Sequence, residues 1–210
     1  MKIGQPPARR TPPANDASAA RLPSWRSFET LWDGTAITVR ELQPDDFAAV
    51  MALADHLSGD ELYLRFFTYH PKYLAEWAHS VTEPVSGRLA LGAFDGSALL
   101  AVGNYIPTAQ SGTAEIAIVV AHHNHRRGIA TMVLKQLGSH ARSAGTQRLV
   151  ADVLAQNRHI RQVIADAGWP CRQHRNDDVI NIEVDLTETS PPDHAATPRT
   201  AQLSVASSTR

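Results

Sequence analysis

An α/β domain with a mixed, largely antiparallel central sheet flanked by helices is the fold class the sequence predicts. Strand-like stretches outnumber helical ones, and the two kinds are interleaved rather than strictly alternating. A tight Asp95-Gly96-Ser97 turn joins two apolar runs, which is the mark of an antiparallel hairpin. Pro- and Ala-rich tails bracket one stretch whose length suits a single domain of about 150 residues.

The elements follow in order. Residues 36–42 (AITVREL) alternate well enough for a strand. Pro44-Asp45-Asp46 opens a helix running to about Leu57, because proline suits a first turn and the two acids complement the dipole. Ser58 caps the next helix, which carries Tyr63, Phe66 and Phe67. A third helical segment covers 72–80. Residues 89–94 and 99–106 form the hairpin, and 113–120 the next strand. From Ile129 to Ala144, Ala130, Val133, Leu134, Leu137, Ala141 and Ala144 fall on one helical face, and Gly145 ends the helix. A strand over 149–154, a helix over 158–167 and a last strand over 179–186 complete the domain, placed at 25–187. Trp169 and Cys171 read as packing residues.

Composition narrows the function. Residues 1–24 and 188–210 have few large apolar side chains and are expected to be disordered. A net charge of −1 argues against nucleic acid as the main partner. No apolar run is long enough to span a membrane, and no secretory signal is evident. The single cysteine excludes an internal disulfide and suits a reducing cytoplasm.

The chemistry concentrates in one place. Between Glu115 and Asp152 there is no acidic residue, while Arg126, Arg127, Lys135, Arg142 and Arg148 all lie there. An apolar strand, a loop rich in His and Arg, Gly128 and a helix occur in succession. A helix start with free amides, a glycine and two guanidinium groups suits a phosphate-bearing cofactor. Two arginines oppose the dipole at that end unless an anion is bound. The nucleotide P-loop string is absent, and Gly128 lacks the glycine neighbours of the dinucleotide fingerprint.

Arg127-Gly128-Ile129-Ala130 resembles the Gln/Arg-x-x-Gly-x-Gly/Ala signature of the GNAT superfamily of acyl-CoA-dependent N-acetyltransferases, with His125 at the Gln/Arg position. A glutamate in the preceding strand (Glu115), an asparagine after the following strand (Asn157) and the pair Gly168-Trp169 match in the same order. Leu57-Ser58-Gly59-Asp60-Glu61-Leu62-Tyr63-Leu64-Arg65-Phe66-Phe67 resembles the Leu-Ser-x-x-Ser-x-Tyr-x-Arg-Phe-Phe stretch of bacterial protein-lysine acetyltransferases, with Glu61 in place of serine.

The resemblance implies a GNAT-like sheet and acetyl-CoA as co-substrate. It implies that Ile118, Val119 and Val120 present backbone groups to the pantetheine arm, and that Arg126, Arg127, Gly128, Ile129, Ala130 and Thr131 hold the pyrophosphate. Asn157 touches the cofactor while also serving as an ordinary helix N-cap. Glu115 matches the general base, which lysine chemistry needs because an ammonium has no lone pair. Burial in its apolar strand is expected to make Glu115 a better proton acceptor, although period two also permits a solvent-facing carboxylate. Ile164 stands where the family often has a tyrosine general acid. Tyr63 and Phe66 are the candidate acceptor-site aromatics, expected with Arg65 near the mouth of the acyl site, with a core role for the aromatics the alternative.

No metal is expected: His122, His123 and His125 are neighbours in a short loop that rarely converge, and no carboxylate or cysteine is expected close to them. The expected activity is direct acetyl transfer to an amine, with protein lysine ε-amino groups as acceptor. A small-molecule amine acetyltransferase and a non-catalytic acyl-CoA sensor are the rivals.

Overall fold

Eight strands form one sheet in the order β1-β2-β3-β4-β5-β6-β8-β7, counted along the chain. The computed structural model describes residues 25–188. The tails predicted to be disordered therefore lie, but for Glu188, outside the described residues. The strands are β1 (Arg26–Thr30), β2 (Ala36–Glu41), β3 (Leu89–Asp95), β4 (Ala98–Pro107), β5 (Thr113–Val120), β6 (Arg148–Leu154), β7 (Cys171–Asn176) and β8 (Val179–Asp185). Helices α1 (Phe47–Asp55), α2 (Gly59–Phe66) and α3 (Leu74–Thr82) follow β2, α4 (Ile129–Ser143) joins β5 to β6, and α5 (Arg158–Asp166) follows β6. Every neighbouring pair is antiparallel except β5 and β6.

Two cores flank the sheet. On one face Val133, Leu134, Leu137 and Ala141 of α4 pack on Leu91, Ala101, Ile116 and Leu149. On the other, Val50 and Leu53 of α1 and Ala78 and Val81 of α3 meet Val102 and Val119. A Cβ at Gly103 of β4 would lie 2.8 Å from Leu137, so glycine there lets α4 lie close on the sheet.

Several expected elements agree within a residue or two, and four points differ. Pro44–Asp46 forms a separate 3-10 turn ahead of α1. β1 and β7 were not expected. β7 is exposed at every position, so it has no apolar face to reveal it, and its ladder with β8 holds it. Cys171 is exposed on that strand rather than packed, whereas Trp169 is buried. At the end of α4 the C-cap Ala144 is exposed, Ala130 is half-buried, and Ile129 and Gly138 take their place among the core positions.

Candidate active site

The site begins as a defect in the sheet. β5 and β6 run parallel but pair only at Thr113/Arg148, Ala114/Leu149 and Glu115/Val150. Beyond those residues the two strands share no ladder and the sheet opens. A cavity of about 450 Å³ occupies the opening toward the start of α4. Ile118, Val119, Val120, Arg126, Gly128, Ile129, Ala130, Thr131 and Asn157, all predicted cofactor residues, line it. Val119 and Ile129 bury their side chains in the two cores, leaving mainly backbone to face the cavity.

The turn into α4 takes its shape from two residues of positive φ. Gly128, the N-cap of α4, has φ +86, and Arg126 has φ 61. For arginine this left-handed backbone is costly, and such strain gathers at ligand-binding turns. The first turn of α4 holds no acid, so its amides present an uncompensated positive end. Asn157 caps α5 by accepting from Ile160 N at 3.2 Å and lines the cavity as well.

Arg127 requires a correction. It is absent from the lining because its guanidinium turns to the β1–β2 loop. Nε donates to Asp33 at 2.9 Å, while the terminal nitrogens donate to Asn124 Oδ1 at 2.7 Å and Thr35 Oγ1 at 2.8 Å. These partners fasten the loop and leave Arg126 as the arginine of the pair at the cavity. Nor is the site free of acids: Glu61 and Asp166 enter its lining from other elements.

A second cavity, about 470 Å³, continues the opening along the sheet toward Glu115. The two share Leu64, Arg65, Ile118, Asn157 and Ile160, so they form one cleft. Glu115 is exposed, contrary to the burial expected of it, because it points to the α2 face of β5 where the strands part. Arg65, from the last turn of α2, lines both cavities. Its Nε is buried with no hydrogen-bond partner, and desolvation pushes the guanidinium down to about 10 despite the nearby Glu115 charge. Phe66 lines the Glu115 end and meets Trp77 edge-on. Tyr63 does not reach either cavity; it stacks on Tyr69 with ring centroids 4.6 Å apart. Ile164 is buried in the core and lines the cleft, and among the described lining residues there is no tyrosine or cysteine.

Two features escaped the sequence reading. Trp32, 82% exposed, lines the cavity beside Gly128. Glu61 reaches across to His122 and His125, overturning the expectation that no carboxylate lies near the histidines. Only Ser58 as the cap of α2 was visible beforehand, since the histidine partners of Glu61 lie 61 or more residues away.

A family model described as an acetyltransferase (GNAT) domain matches residues 36–169. Among solved structures, the GNAT domain of S. lividans PAT is similar at 28% identity and a TM-score of 0.71, covering 79% of this chain and 99% of that one. The cAMP-binding acyltransferase from Mycobacterium smegmatis is 20% identical with a TM-score of 0.55; the match covers 80% of this chain and 49% of that one. The acetyltransferase yncA from Salmonella typhimurium, solved with its cofactor acetyl-CoA, is 18% identical with a TM-score of 0.58, over 75% of this chain and 98% of that one. No curated protein matches this chain in sequence.

Proposed function

The chain belongs to the GNAT acetyltransferase family, and from that premise we propose that it moves acetyl from acetyl-CoA directly to protein lysine ε-amino groups. One observation carries the reading: a single cleft runs from the positive turn at Gly128 to the carboxylate of Glu115. The acceptor class rests on the likeness of the Leu57–Phe67 stretch to the corresponding stretch of bacterial protein-lysine acetyltransferases.

The residues fit the co-substrate. The α4 amides and Arg126 suit a pyrophosphate. The unpaired strand edges beyond Glu115 and Val150 offer main-chain donors and acceptors to an amide-bearing arm. Ile118, Val120, Ile160 and Val163 keep the lining apolar. When bound, acetyl-CoA supplies an acyl carbon activated as a thioester. Glu115 takes the proton the ammonium must lose, directly or through one water, and its exposure leaves it reachable by an acceptor from solvent. Arg65 holds a positive charge at the junction of the two cavities, where it faces Glu115. Ile164 has no proton to give, so the thiolate leaves without a side-chain acid, as a thiol pKa of about 8.5 allows.

Glu115→Gln keeps the shape and removes the basicity. Turnover should fall about 10²- to 10⁴-fold near neutral pH while acetyl-CoA affinity holds, and the loss should shrink as pH nears the amine's own pKa. Wild-type turnover in the variant would end the assignment. Labelled acetyl-CoA incubated with the full chain and a cell lysate, followed by mass spectrometry, tests the acceptor: labelled lysines support it, and labelling of small amines alone overturns it.

A further inference from the structure

Three ligating side chains from two separate elements meet at the rim of the cleft. Glu61 stands in the first turn of α2, while His122 and His125 stand in the loop between β5 and α4. One donor atom from each lies within 4.8 Å of the others. Glu61 Oε1 is 3.1 Å from His122 Nδ1 and 3.2 Å from His125 Nε2. Around a tetrahedral zinc ion with bonds near 2.0–2.1 Å, neighbouring donors stand about 3.3 Å apart. Both measured separations match such an edge, and both edges share one carboxylate oxygen.

The surroundings are built to hold that oxygen in place. The other oxygen, Oε2, accepts from Ser58 N and Ser58 Oγ, each at 2.8 Å. Outer partners of this kind orient ligating carboxylates. A fourth donor atom is also at hand, for the Val120 carbonyl oxygen lies 3.0 Å from His125 Nε2. Without an ion that nitrogen can donate to the carbonyl. With one bound, the same oxygen sits at the spacing of a further donor. The His122 and His125 side chains are 63% and 38% exposed, which leaves a path for an ion and for a completing water.

We propose that Glu61, His122 and His125 form a binding site for one divalent transition-metal ion of the zinc type, joining α2 to the loop that leads into the Gly128 turn. Imidazole with one carboxylate suits zinc, cobalt, nickel or copper and disfavours magnesium and calcium, which prefer all-oxygen shells. Glu61 and His125 also line the cavity at the Gly128 turn, but the proposal does not rest on the transfer reaction.

The test uses the full chain without a histidine tag, titrated with Co²⁺ and with Zn²⁺. One equivalent of Co²⁺ should give the visible absorption bands of a four-coordinate site, and Zn²⁺ should displace it and raise the midpoint of thermal unfolding. His122→Ala, His125→Ala and Glu61→Gln should each lose the stoichiometric bands and the zinc-induced rise. Ser58→Ala should weaken binding about 10- to 100-fold, because it removes only an outer partner. His79→Ala, in a separate pair with Glu83, should leave metal binding unchanged. Metal-free unfolding curves show whether each variant is folded. Absence of one-to-one binding by the wild type, or binding that survives in folded His122→Ala and His125→Ala, overturns the proposal.

Discussion

Replacing Arg126 and Arg127 one at a time by alanine should separate cofactor affinity from fold stability, although the two residues are neighbours. Arg126 lines the cavity and has no side-chain partner among the described residues, so its loss removes a charge-assisted contact to phosphate worth about 1.5–3 kcal/mol. That is a rise in Kd of about 10- to 150-fold. Alanine meets the same left-handed backbone at φ 61 that arginine does, so the fold should change little. Arg127→Ala instead removes part-buried bonds to Asn124 and Thr35, each worth about 1 kcal/mol, and an ion pair with exposed Asp33 that adds little. The Asp33 carboxyl is held low first by its bonds from Thr35 and only secondarily by Arg127. A loss of about 2 kcal/mol lowers the Tm of a domain this size by about 4–8 °C. Calorimetric titration with acetyl-CoA and thermal unfolding by circular dichroism read the two effects. Loss of affinity in Arg127→Ala equal to that in Arg126→Ala, with no fall in Tm, would refute the geometry.

Three further outcomes are expected. Gly138→Ala gains about 1 kcal/mol of helix propensity but drives a Cβ into the buried Trp169 ring, 2.9 Å from Cζ2, at a cost of about 1–3 kcal/mol; a raised Tm would contradict it. Phe66→Ala should raise KM for the amine acceptor with acetyl-CoA affinity unchanged, while Tyr63→Ala, losing only its stack on Tyr69, should cost about 0.5–1.5 kcal/mol of stability and leave KM alone. Equal KM effects would show that the two aromatics act alike. The third concerns pH. Desolvation holds His140 below its usual value, with Glu41 opposing, while Trp25 packs edge-on against it. The unfolded chain therefore binds a proton more readily, so this residue's contribution to stability falls as pH drops from about 6.5 through the lowered folded value. His140→Gln should flatten that part of a Tm-against-pH curve, and an unchanged slope would remove the residue from the account.

How much of this was legible follows from where the information lies. β5 and α4 could be read because each has a buried face whose period survives in the local sequence, and Gly128 announces the turn between them. β1 (RSFET) and β7 (CRQHRN) could not, because their neighbours in the sheet hold them and not an apolar pattern of their own. Arg126 and Arg127 look equivalent as letters. The difference between them is set by Asp33 and Thr35, more than 90 residues away. The same holds for Glu61, whose capping role with Ser58 is local while its histidine partners are not. Glu115 was singled out as the candidate base by its family likeness, yet its exposure was misjudged, since the parting of β5 from β6 is a property of two strands together.

That parting has a colloidal consequence. Beyond Glu115 and Val150, β5 and β6 each turn a row of main-chain groups to a neighbour that is not there, so the sheet contains two edges in its middle as well as two at its ends. Open edges are templates for a foreign strand. A ligand that occupies the gap stands in for the missing neighbour, and stripping it away uncovers a groove ready to zip onto an extended segment of another chain. Shelf life in solution is thus tied to occupancy of the cleft: protein kept with its ligand should stay monodisperse for longer than the same protein dialysed free of it, at equal temperature and salt.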